Sequence, residues 1–155
     1  MKPKIVDYKE RKLVGIRLQM SLADNKTVDL FRAFMPRKKE IKSASSGDVF
    51  ALQNYNLLTF TPQTIFEKWA CIEVSEYEAI PKAMETLILN AGTYAVFIHK
   101  GPTENFVNSM KHILYTWLPN SKYKLDDRPH FEILGNAYLG PNNPNSEEEI
   151  WIPIR

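Results

Sequence analysis

The chain has 155 residues, 44% hydrophobic and 25% charged, with 20 Lys and Arg against 18 Asp and Glu for a formal net charge of +2. That length suffices for one domain with a real core and is short for two, and the composition is that of an ordinary globular protein. A charge so near balance excludes an electrostatic argument for nucleic acid, which needs basic residues gathered on one face, so no direct nucleic-acid binding is expected. The clusters Lys9–Arg11–Lys12 and Arg37–Lys38–Lys39 are short and far apart, and read as solvated surface. A single cysteine, Cys71, excludes an intrachain disulfide and fits a reducing compartment. The N-terminus, MKPKIVDYKERK, has no apolar core of signal-peptide length, and no window approaches a membrane span. A cytoplasmic location away from membranes is expected.

In chain order, Ile5 to Leu18 alternates unevenly and predicts one or two extended segments. Asn25 or Thr27 is placed to cap a helix running to about Ile41, with Val28, Phe31, Phe34 and Met35 as its apolar points; Pro36 weakens its middle. Ser43 to Gly47 reads as a loop, and Val49 to Tyr55 and Phe66 to Ser75 as strands. Ala79 to Asn90 fits a short helix or a strand lead-in equally. Gly92 opens a clear strand, Thr93 to His99, closed by Gly101–Pro102. Thr103 is the expected N-cap of a second helix to Leu118, whose stripe is Phe106, Met110, Ile113, Leu114 and Trp117. Pro119 ends it. Two further strands, His130 to Leu139 and Glu149 to Ile154, flank a loop rich in Gly, Pro and Asn.

The two halves share one order of elements: strand, helix, strand, strand. A shift of 82 residues lays Val14 on Val96, Val28 on Met110, Phe31 on Ile113, Met35 on Trp117 and Trp69 on Trp151. The expected fold is α+β: two strand–helix–strand–strand repeats, about 1–78 and 79–155, forming one antiparallel sheet with both helices on one face and a central ligand cleft.

One stretch concentrates the chemistry. In His130 to Leu134, alternation puts His130, Glu132 and Leu134 on one face and Phe131 and Ile133 on the other. Glu132 is a carboxylate in mid-strand, where β-propensity does not select it. Either it points to solvent or it is a charge held in an apolar place. No metal-ligand spacing links His99, His112, His130 and Cys71, and no Gly-rich phosphate loop or nucleophile motif is present, so no cofactor or metal is expected.

The run GTYAVFIHKGP, the helix ending YTWLPNSKYKLDDRPHFEIL, and EEEIWIPIR resemble the effector-binding domain of bacterial transcription activators, the gyrase-inhibitor-like superfamily. The resemblance covers Gly92 to Arg155 with specific anchor points and the first half mainly in layout. It implies a fold of two strand–helix–strand–strand repeats. It also implies a central glutamate that meets positively charged, lipophilic ligands, and that residue is Glu132 in the phrase Pro129–His130–Phe131–Glu132. The acid and aromatic of the family's last strand fall on Glu149 and Trp151. No helix-turn-helix domain precedes the first strand, so a stand-alone module is expected, with a separate transcription regulator or DNA gyrase as its protein partner.

A desolvated carboxylate protonates or waits for a cation, and aromatic walls add cation–π attraction. Trp69, Trp151, Tyr94 and Phe50 are the candidate walls, because each lies on a predicted strand; core packing is the competing reading for each. The expected function is capture of small lipophilic cations at Glu132. The alternative is a small-molecule hydrolase in which Glu132 transfers the proton, assisted by Tyr94 or Tyr138.

Overall fold

The computed structural model describes all 155 residues. The uneven N-terminal alternation resolves into two strands, β1 (Lys4–Tyr8) and β2 (Arg11–Met20). Helix α1 (Thr27–Phe34) starts where Asn25 Oδ1 accepts the Thr27 N–H at 2.9 Å. At Pro36, which has no N–H and crowds the preceding turn, the chain passes into a 3₁₀ segment, Met35–Glu40. Strands β3 (Val49–Gln53) and β4 (Phe66–Val74) follow. The undecided stretch is a strand, β5 (Glu85–Leu89), which leads into β6 (Gly92–Lys100). Helix α2 (Phe106–His112) is entered through a 3₁₀ turn, Thr103–Asn105, rather than through a Thr103 cap. It continues as a π-turn, Ile113–Trp117. Strands β7 (His130–Leu134) and β8 (Glu147–Pro153) close the chain.

All eight strands form one antiparallel sheet in the order β1-β6-β8-β7-β3-β4-β2-β5. Each half contributes a trio, β3-β4-β2 or β7-β8-β6, and the trios meet at β3/β7. The outermost strands are exchanged: β1 pairs with β6 of the second half, and β5 with β2 of the first. The exchange keeps one register, with Lys4 opposite Val96 and, in the symmetry-related place, Glu85 opposite Gly15.

The spatial correspondence corrects the 82-residue shift. Gly15 and Phe50 both face Cys71, as Val96 and Phe131 both face Trp151. The halves therefore match at 81 residues over β2 and β3 and at 80 over β4. A slip of one residue turns a strand over. Val14 lies under α1, whereas Val96 faces the other side of the sheet. The spatial counterpart of Trp151 is Cys71, and that of Trp69 is Glu149.

Both helices pack on one face. Helix α1 buries Leu30 and Phe34 over β2 and β4, while Val28 is 62% and Met35 47% exposed. The buried stripe of this helix is thus displaced from the one expected. Helix α2 sets Ile113 and Leu114 against Ala95, Phe97, Ile150 and Ile152, with Phe106, Met110 and Trp117 at the margin, as its periodicity predicted. The opposite face carries no helix, yet Phe50, Tyr94, Phe131 and Trp151 are buried there. The sheet coils to bury them. Tyr8 on β1 and Phe131 on β7 have two strands between them, a backbone separation of about 14 Å in a flat sheet, yet their rings are 6.1 Å apart.

Candidate functional site

The face under the helices changes character at the centre. Helix α1 covers β2 and β4 and α2 covers β6 and β8, so β3 and β7 run beneath the furrow between them. Across this furrow Ala51 pairs with Glu132 and Gln53 with His130. Ala70 and Ala51, both buried, occupy the row that leads to Glu132 and bring no polar group to it.

Glu132 is half-buried. Gln53 Nε2 donates to its Oε2 at 3.0 Å and to the His130 carbonyl at 3.2 Å. None of the six ion pairs in the molecule includes Glu132. The surrounding protein displaces the water that would hydrate its charge, and this raises its pKa against the opposing pull of Lys68 and the Gln53 amide. A second carboxylate, Glu148 on β8, is pushed up to about 7, first by burial and then by the charge of Glu132, again against Lys68. His130 is pushed down to about 3 by burial and then by Lys68, so it is a neutral imidazole at ordinary pH. The Tyr55 ring stands edge-on to it at 4.7 Å. Burial and the nearby Glu132 charge push the Tyr55 hydroxyl up to about 12.

Two cavities lie at opposite ends of β7. One, of about 370 Å³, is lined by Glu148 and Glu149 with Asp48, Ile98, Ile133 and Ala137. The other, of about 340 Å³, is lined by Tyr55 and His130 with Asn54, Leu57, Asp127 and Arg128. Neither is lined by Glu132: the first is built mainly from the opposite sheet face, with Ile98, Ile133 and Glu149, and takes Glu148 from the furrow face, while the second meets the furrow at His130.

The expected aromatic walls stand elsewhere. Phe50, Tyr94, Trp151 and Trp69 belong to the apolar core on the opposite face. Phe131 joins them, 5.4 Å from Phe50 and stacked on Trp151 at 5.3 Å. Strand alternation is the reason: Glu132 pairs with Ala51, so Phe50, one residue earlier, points away from it. The cation sites on two of these rings are taken by the protein itself, with Arg128 over Tyr94 at 4.6 Å and Arg17 over Trp69 at 5.8 Å. Glu149 also lies on that face, where it accepts from Trp151 Nε1 at 3.3 Å, and it reaches the first cavity.

The groups that do gather around Glu132 are Gln53, Tyr55, Lys68, His130 and Glu148. Of these only His130 was legible, from its two-residue spacing. Gln53 gives a weaker signal as the polar end of the otherwise apolar Val49–Gln53, and Lys68 and Glu148 give none without the strand pairing.

The duplicated layout of one eight-stranded antiparallel sheet with both helices on one face defines an α+β domain. The chain belongs to the GyrI-like small molecule binding domain family, which matches residues 1–155. It is similar to the transcriptional regulator BrlR of Pseudomonas aeruginosa, 28% identical over 154 residues, 99% of this chain and 56% of that protein. The chain thus spans little more than half of that regulator. The EcmrR C-terminal domain shares its fold with a TM-score of 0.74 at 15% identity, over 99% of this chain and 97% of that one. SAV2435 bound to tetraphenylphosphonium does so with a TM-score of 0.68 at 15% identity, over 100% and 94%. No helix is long and apolar enough to cross a membrane.

Proposed function

We propose that the domain captures small lipophilic cations in the furrow over β3 and β7, with Glu132 as the principal counter-charge and Glu148 as a second. The observation that carries this reading is Glu132 itself, a desolvated carboxylate held by one amide and paired with no cation. Such a group lowers its free energy by protonating or by meeting a positive charge that brings its own apolar surface. Tyr55 is close enough to feel the Glu132 charge, and the cavity it lines with His130 gives a ligand body somewhere to lie. The tetraphenylphosphonium complex of a protein with this fold supports the choice of ligand class. We extend the reading to a cytoplasmic effector-binding module, spanning 1–155, that reports its ligand to a transcription regulator.

Calorimetric titration with tetraphenylphosphonium tests it. Wild type is expected to bind, and Glu132→Gln to bind at least about tenfold more weakly, the loss of one charge contact in a shielded site. Equal affinity for both proteins would sink the assignment of Glu132.

The raised carboxyls also suit proton transfer, with Tyr138 beside Glu148; Tyr94, on the far face, is not placed to assist. Incubation with electrophilic cyclopropane substrates separates the readings, because turnover that disappears in Glu132→Gln would make this a hydrolase.

A further inference from the structure

Lys68 projects from β4 onto the furrow face beside Gln53, the residue that holds Glu132. It is half-buried, and its ammonium makes a single hydrogen bond, to Thr27 Oγ1 at the start of α1, at 3.3 Å. That distance is long for a charged donor, and Lys68 takes part in no ion pair. Its neighbours in the next row, Ala70 and Ala51, offer Glu132 no polar or charged group to compete with it. Among charged groups, Lys68 is the one cation felt by Glu132, Glu148 and His130 alike.

We propose that Lys68 is a resident counter-cation of the furrow and sets the charge that a ligand must carry. This rests on the cation-binding reading above. Two carboxylates and one ammonium leave one negative charge when all are ionised, which a monocation neutralises. A dication overshoots and meets the ammonium at close range in a shielded site, where like charges repel more strongly than in water. Thr27 acts as the tether: by holding the ammonium at the foot of α1, it keeps Lys68 near the carboxylates without letting it collapse onto either.

The test is calorimetric titration of wild type, Lys68→Met and Lys68→Arg with three probes: monocationic tetraphenylphosphonium, dicationic dequalinium and neutral triphenylphosphine oxide. Lys68→Met is expected to tighten tetraphenylphosphonium roughly fivefold and dequalinium by more than about tenfold, leaving the neutral probe within about twofold. Lys68→Arg, which keeps the charge, is expected to behave as wild type. Lys68→Gln takes the place of the Met variant if a melting curve shows the latter unfolded. Cation affinities equal in wild type and Lys68→Met would overturn the proposal. An equal gain for the neutral probe would overturn it too, since space rather than charge would then be the cause. If tetraphenylphosphonium binds no folded form of the protein, the cation site itself is lost; binding that ignores Lys68 removes only the role given to that residue.

Discussion

Three ionisable side chains in the furrow are held away from their solution behaviour, and each makes a different demand of pH. Glu148 prefers its neutral form in the fold, so its penalty is absent below about pH 4.5 and grows as pH rises towards about 7. Glu148→Gln is therefore expected to raise stability at pH 8 by about 1–2 kcal/mol, after allowance for its partial exposure, and to change little at pH 4. Chemical denaturation at the two pH values measures the difference, and an equal gain at both would contradict the assignment. His130 has the opposite slope. Its neutral ring is maintained at no cost above about pH 6.5, and stability falls as pH drops from there towards 3. Replacing it with glutamine should flatten the acid limb, recovering about 3 kcal/mol by pH 4. Glu132 links pH to ligand: burial raises the pKa of the empty carboxyl and a bound cation lowers it, so cation entry and proton release are coupled. Titration in buffers of different ionisation enthalpy should show that release in wild type and its loss in Glu132→Gln.

At the scale of single elements, the strands were the legible part. Val49–Gln53 and Gly92–Lys100 declared themselves by composition, and α2 by the spacing of Ile113, Leu114 and Trp117. Helix α1 lies where its spacing predicts, and Phe31 and Phe34 of the expected stripe pack on the sheet, but Val28 and Met35 are apolar residues that its partner strands never reach. Hydrophobicity records what a residue tolerates; burial depends on what lies opposite. Gly15 shows the same dependence. A Cβ there would stand 2.0 Å from the Ala70 carbonyl oxygen and 2.6 Å from Cys71, although the symmetry-related position holds Val96. Gly15→Ala is expected to destabilise the protein by roughly 2–4 kcal/mol, read as a lowered melting temperature, because backbone rather than a flexible side chain must yield. A melting temperature within one or two degrees of wild type would show that β2 and β4 can part there.

The whole molecule is two similar halves that cannot be pulled apart cleanly. β1 precedes β2 in the chain but completes the edge beside β6, and β5 does the reverse for β2. Each half taken alone would carry one strand with no partner and lack the strand that guards its own outer edge. Co-expressed fragments 1–78 and 79–155 are expected to assemble into a folded complex, whereas either alone should give weak strand signals and no cooperative melt by circular dichroism. A cooperative transition from one isolated half would refute this. The exchange also places the furrow at the junction: β3 and β7 are the inner strands of the trios, and neither helix is centred over them.

The sequence alone determined the α+β class, the duplicated layout, most of the strands and both helices, and that Glu132 shares a face of its strand with His130 and Leu134. Those properties are periodic and local, carried by residues a few positions apart. It did not determine which strands would be neighbours, so Phe50, Tyr94, Trp69 and Trp151 were set around a carboxylate from which the sheet separates them, while Gln53, Lys68 and Glu148 went unnoticed. Only the tertiary structure decided that, because pairing register relates residues some 80 positions apart, and a shift of one residue in it exchanges the two faces of the sheet.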